Sequence, residues 1–184
     1  MKNTRRIATC ALLSAIGYIS LWLIRIPIIP AATFLRFDVK DVFIALMGII
    51  YGPMYTFAGA ICISLLQTLS VSEYGVIGFI MNILSASAFS LPIALVYKKG
   101  KNGKRLILGL VIGTISLIVI MLFWNYLVTP LYMGIPRSEV KGMIVPIFLP
   151  FNFMKGIINS ILIYIVYGLY KKILKNNKGV MEGV

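Results

Sequence analysis

Long apolar runs alternate with short polar or basic segments along the whole chain. An α-helix needs about 20 apolar residues to cross the hydrocarbon core of a bilayer. Six runs are candidates for such spans: residues 7–24, 39–50, 54–69, 76–97, 106–128 and 143–170. The runs are continuous and do not alternate with period two, which favours helices over the strands of a barrel. The pattern therefore predicts an all-α, polytopic membrane protein with six transmembrane helices in one bundle.

Three features modify this pattern. The first run follows a basic N-terminus, but Ala31-Ala32 follows Pro30 and lies well past the short apolar core of a signal peptide, so we expect a retained span. Gly52-Pro53 separates the short second run from the third, because proline cannot continue a helical hydrogen-bond ladder. Pro146 and Pro150 predict a kinked or irregular start to the sixth span.

The distribution of Lys and Arg predicts the orientation. Twelve of the 18 lie in the N-terminus, the fourth–fifth connection and the C-terminal tail, and five lie on the other side. Cytoplasmic loops carry the excess of these residues. Both termini are therefore expected in the cytoplasm, which fits an even number of spans. Asp38, Lys40 and Asp41 are assigned to the wet outer side, at the start of the short second run.

Composition narrows the possible functions. Hydrophobic residues make up 60% of the chain and charged residues 12%, whereas soluble domains carry about 25% charged residues. The net charge of +13 arises from segments between apolar runs, which indicates membrane orientation and not nucleic-acid binding. Cys10 and Cys62 form no metal or disulfide pattern, and the chain has no His. We expect one domain, residues 1–184, that is not an enzyme.

Several common energy-coupling and catalytic signatures are also absent from the sequence. It contains no GxxxxGK[ST], HExxH or GxSxG motif, and it has no visible internal repeat. No acidic pair is predicted at mid-membrane, which argues against a proton-coupled pump. These absences favour a binding protein that obtains its energy from a partner.

Lys155 is the one charge in the interior of a predicted span, since Lys40 and Asp41 lie at the start of theirs. A charge at mid-membrane costs about 2.5–3.5 kcal/mol on insertion scales, so it indicates a functional site unless the side chain snorkels to an interface. Asn152 and Asn159 lie three residues before it and four after, so the three share a helix face. This polar stripe predicts a ligand site or, alternatively, contacts between helices.

Three amides in other spans are expected near the same outward end. Asn125, Asn82 and Gln67 lie toward the outer ends of the fifth, fourth and third runs. Together with Lys155 they predict an outward pocket with several amides and one cation. Such a pocket suits a neutral or anionic small molecule with an apolar or aromatic part.

Small residues in the first run suggest a helix-packing face. Ala11 and Ala15 form a small-xxx-small pattern, which lets another helix approach closely.

The C-terminal third carries the most specific resemblance. The stretch TPLYMG, followed by Pro150-Phe151-Asn152 and Lys155-Gly156, resembles a motif at the sixth helix of one transporter family. Further matches are the pairs Asn125-Tyr126, Phe34-Leu35, Asp38 with Asp41, Gly52-Pro53 and Ala11 with Ala15. On these residues the chain resembles the substrate-binding S components of energy-coupling factor (ECF) vitamin transporters, and within them the riboflavin-specific ones.

The resemblance implies a function and a set of partners. Riboflavin would bind from outside as the transported ligand, with no other cofactor. Asn125, Asn152 and Lys155 would hydrogen-bond the flavin, and Phe34, Leu35 and Arg36 would line a lid. Arg36 departs from the residue in some relatives. Ala11 and Ala15 would face a transmembrane T component in the cell membrane. That component joins two cytoplasmic ATPases, and ATP hydrolysis is thought to topple the S component so that ligand is released inside.

The residues leave three alternative functions open. The chain could be an S component for another vitamin or a nucleobase-like compound. It could be an intramembrane enzyme with Lys155 as nucleophile or base, although no carboxylate is predicted in the same stripe. It could also be a structural membrane subunit.

Overall fold

A computed structural model describes residues 2–70 and 75–181, with side chains described for residues 3–70 and 75–172. Almost all of these residues are helical. The α-helices are α1 (Lys2–Leu23), α2 (Lys40–Tyr51), α3 (Pro53–Ser70), α4 (Gly75–Lys98), α5 (Gly103–Met133), α6 (Arg137–Met143) and α7 (Leu149–Met181). Two short strands, β1 (Ile26–Pro27) and β2 (Arg36–Phe37), lie between α1 and α2. The helical membrane fold predicted from the apolar runs is confirmed.

Local sequence signals explain both ends of α5. Asn102 precedes α5, and its side-chain oxygen accepts a hydrogen bond from the Arg105 N–H at 2.9 Å. This is the usual capping role of Asn. The helix continues past Pro130 and ends at Gly134, whose φ of +66° is in the left-handed region. It is therefore longer than the predicted run of residues 106–128.

The predicted break and the predicted irregularity are both confirmed. Gly52, with φ of +104°, separates α2 from α3. A π-helical turn, Ile144–Phe148, contains Pro146 and joins α6 to α7. Helix α6 was not predicted; it occupies part of the segment assigned to a loop.

The segment between α1 and α2 is also more ordered than a plain loop. Strands β1 and β2 pair antiparallel, with Ile26 opposite Phe37 and Pro27 opposite Arg36. We call residues 25–37 the ribbon segment.

Close helix contacts hold the bundle together. Gly113 on α5 lies against α4, where an added Cβ would be 2.5 Å from the carbonyl oxygen of Phe89. Gly156 on α7 lies against Thr114 of α5 in the same way, at 2.6 Å from its methyl carbon. Glycine at such positions lets two helices approach more closely than any larger residue would.

Four helical segments of the described chain are long and apolar enough to cross a membrane: α1, α4, α5 and the continuous α6–α7 segment. Large apolar side chains on them face outward, including Leu12 (65% exposed) and Phe123 (64%). A lipid environment accounts for this exposure, since a soluble protein of this size would bury most of these side chains. Helices α2 and α3 are shorter, with 12 and 18 residues.

Candidate ligand-binding site

A cavity of about 120 Å³ lies between the ribbon segment and the ends of α3, α4, α5 and α7. All eight residues predicted to contact a ligand are on its wall. They are Phe34, Leu35, Arg36, Gln67, Asn82, Asn125, Asn152 and Lys155. The structure thus brings together residues that lie up to 121 positions apart in the chain. Their role in binding remains a prediction.

The cavity lies at one end of the bundle. Gln67 is in the last turn of α3, Asn152 is in the first turn of α7, and Asn125 is in the last third of α5. The basic α4–α5 connection, residues 99–102, is at the opposite ends of α4 and α5. The cavity is therefore on the side that carries fewer basic residues.

The two central amides are almost fully withdrawn from the surface. Asn152 is 2% exposed, and its Nδ2 donates to the carbonyl oxygen of Phe148 at 2.8 Å. Asn125 is 1% exposed, and its Oδ1 accepts from Thr129 Oγ1 at 3.4 Å. Each amide keeps hydrogen-bonding capacity beyond these contacts, because an amide offers two donors and an acceptor with two lone pairs.

Lys155 has a partner that the sequence did not reveal. Its Nζ lies 3.0 Å from Asp41 Oδ2, and both side chains are buried. A buried cation needs a counter-charge to offset its desolvation. The polar stripe on α7 contains no carboxylate, as predicted, but α2 places one beside Lys155 in space.

Lys40 is a second buried cation beside the first. Its Nζ lies 2.8 Å from Asp38 Oδ2 and 3.1 Å from Asn82 Oδ1. Lys40 and Asp41 are both 0% exposed, and Asp38 is 4% exposed. The prediction that these residues form a wet helix end is wrong, because ion pairing lets their charges be buried in the bundle, whereas their location at the outer end stays a prediction. We call Asp38, Lys40, Asp41 and Lys155 the charge cluster.

The surroundings of Asp38 keep it ionised. Burial raises the pKa of this carboxyl, but Lys155 and Lys40 lower the pKa by more, so it lies below its ordinary value. The cavity wall therefore carries a carboxylate and an ammonium group, Asp38 and Lys155, beside its amides. The acidic residues were missed as site residues. The available signal was the pair Asp38 and Asp41, three residues apart, directly before an apolar run.

Asn159 does not take part in the cavity. It is 0% exposed, and neither atom of its amide group has a hydrogen-bond partner among the described residues. It shares the buried face of α7 with Asn152 and Lys155, as predicted, but only those two line the cavity.

The ribbon segment closes one side of the cavity. Phe34 packs edge-on against Phe148, with ring centroids 6.3 Å apart. Leu35 is 8% exposed, while Arg36 faces outward at the rim. Phe151 adds a second aromatic ring to the wall.

The wall combines several kinds of polar group with aromatic rings. Amides surround the space together with the carboxylate of Asp38 and the cationic side chains of Arg25, Arg36 and Lys155. No group of three or more His, Cys, Asp or Glu side chains in the described ranges could hold a metal ion. Ala11 and Ala15 do not line this cavity and are exposed on α1.

Comparison with known proteins identifies the family. The sequence pattern of the family "ECF transporter, substrate-specific component" matches residues 5–167. The chain belongs to this family. Its S-component fold is therefore carried by nearly the whole sequence.

Curated relatives of this S component are riboflavin transporters by name. It is 33% identical to the riboflavin transporter RibU of Streptococcus thermophilus, over 95% of this chain and 86% of the relative. It is 32% identical to RibU of Staphylococcus aureus, over 95% of each chain. The riboflavin transporter FmnP of Bacillus subtilis is 28% identical over 90% of this S component and 91% of FmnP.

A solved structure has the same architecture. The S component of a bacterial ECF transporter superposes with a TM-score of 0.81 at 30% identity. The match covers 94% of this S component and 99% of the solved chain.

Proposed function

We propose that this chain is the substrate-capture subunit of an ECF-type importer and that its ligand is riboflavin. The observation that carries the proposal is the agreement between the cavity and the relatives. Residues predicted to contact a flavin surround one cavity, and relatives that match 95% of the chain are named riboflavin transporters.

The wall of the cavity suits the two halves of a flavin. Riboflavin combines a planar ring system, which has a polar edge, with a hydroxylated ribityl chain. Asn125, Asn152 and Lys155 supply donors and acceptors for these polar groups. Phe34 and Phe151 supply ring faces and edges for the planar part. Asn82 and Gln67 extend the hydrogen-bonding wall toward α4 and α3.

Ligand entry requires movement of the ribbon segment. The cavity volume of about 120 Å³ is below the range of about 300–1,000 Å³ typical of small-molecule sites. The ribbon segment is the part of the wall outside the helices, and the contact of Phe34 with Phe148 holds it against the bundle. We assign it the role of a lid that opens outward to admit the ligand.

The proposed topology has six membrane-embedded helical segments: α1, α2, α3, α4, α5 and the α6–α7 segment. Helices α2 and α3 together complete the bundle beside the four longer spans. The basic α4–α5 connection and both termini then lie in the cytoplasm of a cell with this protein in its plasma membrane. The whole chain forms one transmembrane domain.

Transport requires partners, because the sequence contains no P-loop for ATP. We propose that Ala11 and Ala15 contact a transmembrane T component, which connects the chain to two cytoplasmic ATPases. Their exposure on α1 leaves this face available for a second helix.

The charge cluster favours binding over catalysis. A nucleophilic lysine needs a free amine, whereas Nζ of Lys155 is engaged in an ion pair with Asp41 Oδ2 at 3.0 Å. We therefore propose no catalytic role for Lys155.

The experiment is an absorbance spectrum of the purified chain in detergent, followed by titration with riboflavin. A flavin spectrum, or quenching of flavin fluorescence at an equimolar end point, is the expected result. Flavin mononucleotide and a panel of other vitamins serve as competitors. A chain that neither retains nor binds riboflavin but binds another vitamin would replace the ligand and keep the family function.

A further inference from the structure

A second concave surface lies on the outside of the bundle, between α5 and α7. This groove has a volume of about 540 Å³, within the range of about 300–1,000 Å³ typical of ligand sites. Its lining is almost entirely apolar and includes Ile107, Val111 and Ile115 on α5, with Phe153, Ile157 and Tyr164 on α7. Thr114 and Ser160 contact each other at 3.3 Å between the two helices.

The length of the groove matches one leaflet of a bilayer. On α5 the groove extends from Ile107 to Ile118, which at 1.5 Å per residue is about 16 Å. The hydrocarbon core of a bilayer is about 30 Å thick, so one leaflet contributes about 15 Å. The groove is therefore about as long as one acyl chain that spans a single leaflet.

Basic residues continue both walls of the groove at the same end. Lys104 precedes Ile107, Val111 and Ile115 by 3, 7 and 11 residues, which places it on the same face of α5. Lys171 follows Tyr164 by seven residues and shares its face of α7. Both lysines are exposed.

Side-chain contacts place the end of α7 beside the end of α4 and the connection that leads into α5. Lys171 Nζ lies 5.0 Å from the ring centroid of Tyr167. The Tyr167 hydroxyl lies 3.2 Å from the Tyr97 hydroxyl, which in turn donates to the carbonyl oxygen of Lys101 at 3.5 Å. The end of α7 is thereby held beside the basic α4–α5 connection. Among the acidic residues that the structure describes, Asp38 and Asp41 belong to the charge cluster and Glu139 is on α6, so none of them neutralises this end.

We infer that this groove binds an anionic phospholipid, with an acyl chain along the apolar walls and the phosphate near Lys104 and Lys171. An anionic phospholipid matches three properties of the groove: its apolar lining, its length of about one leaflet, and its basic end. Basic pockets between transmembrane helices on the cytoplasmic side are typical sites for anionic lipid headgroups. The site is separate from the cavity, and its test involves no flavin.

The experiment measures lipid retention by native mass spectrometry of the purified chain. Dioleoyl phosphatidylglycerol and dioleoyl phosphatidylcholine are offered at equal concentration, because they share acyl chains and differ in charge. We expect a preference for phosphatidylglycerol of about fivefold or more, since each lysine near an anionic headgroup contributes about fivefold in affinity.

Two pairs of variants locate the site. Lys104→Gln with Lys171→Gln should bring the ratio of the two lipids close to one. Arg5→Gln with Arg6→Gln removes the same charge from the proposed cytoplasmic end of α1 and should leave the ratio unchanged. Ile157→Trp should reduce retention of both lipids by filling the groove, whereas Ile165→Trp, at an exposed position of α7 outside it, should not.

Each other outcome overturns the inference. Equal retention of both lipids by the wild-type chain removes the charge recognition. If the Lys104/Lys171 and Arg5/Arg6 double variants lower the preference for phosphatidylglycerol equally, the charge recognition does not reside at the groove. If Ile157→Trp weakens association with a T component but leaves lipid retention intact, the groove is a helix-docking surface. Thermal unfolding of each variant in detergent excludes a folding defect as the cause.

Discussion

Lys155 Nζ and Asp41 Oδ2 lie 3.0 Å apart in the interior of the bundle, where they join α7 to α2. Removal of one partner from a buried ion pair leaves the other charge uncompensated, at a typical cost of about 3–5 kcal/mol. We expect Lys155→Met to lower the thermal unfolding midpoint in detergent and to weaken riboflavin binding. Asp41→Asn should lower the midpoint as well.

The double variant Lys155→Met with Asp41→Leu separates the two effects. It should recover much of the stability, because no unpaired charge remains, but it should not recover riboflavin affinity. Full recovery of affinity would show that Lys155 acts only on the fold.

Asn152 and Asn159 form a matched pair on α7. Both are buried asparagines, but only Asn152 lines the cavity. We expect Asn152→Ala to weaken riboflavin binding by about 1–3 kcal/mol, roughly ten- to a hundredfold, because ligand groups lose a partner in a dry site. Fluorescence titration measures this change. Asn159→Leu should alter affinity by less than about threefold and should keep or raise stability, because it removes an unpaired buried amide. Comparable losses of affinity in both variants would contradict the proposed wall.

Gly113 tests the close approach of α4 and α5. Gly113→Ala brings a methyl group against the backbone carbonyl of Phe89, which cannot move without shifting α4. Overpacking of this kind costs about 1–3 kcal/mol, which exceeds the gain in helix propensity of about 1 kcal/mol. Gly168→Ala is the control, since an added Cβ there has open space within 4 Å. Unfolding midpoints should fall for the first variant and stay level or rise for the second.

Ala11 and Ala15 test the partner face. The double variant Ala11→Leu with Ala15→Leu adds bulk to an exposed face of α1 and should reduce co-purification with the T component by about tenfold or more. Riboflavin affinity of the isolated chain should remain within about threefold, because these residues do not line the cavity. Val119→Leu, at a 61% exposed position on α5, is the control for added bulk. Unchanged assembly of the double variant would assign the T component to another face.

The long spans could be predicted because they depend on local composition. The predicted run of residues 76–97 differs from α4 by one residue at each end. Such a run can be recognised without knowledge of neighbouring helices, because contact with lipid by itself requires an apolar surface and a helical backbone. Helix α6 is the counterexample. Its sequence, RSEVKGM, has no apolar run from which a helix could be recognised, and it lies between α5 and the π-helical turn.

The polar site could be predicted only in part, because some of its contacts join residues that are distant in sequence. Isolated amides and one lysine within apolar runs are visible in the sequence, and all of them reach the cavity wall except Asn159. Lys40 and Asp41 resemble an ordinary wet helix end when they are considered alone. Their burial depends on Asn82 of α4 and Lys155 of α7, which are distant in sequence, so the local spacing of Asp38 and Asp41 could indicate a site but could not identify these partners.

The charge cluster has an electrical consequence. Its two carboxylates and two ammonium groups sum to zero formal charge. One elementary charge moved through a potential of 100 mV changes free energy by about 2.3 kcal/mol, with a sign that depends on direction. A neutral group of four carries no net charge through the field. If the chain rotates within the bilayer to release its ligand, the cluster contributes to gating charge only through reorientation of its short internal dipoles, so membrane potential changes the free energy of its movement far less than it would for an unpaired lysine.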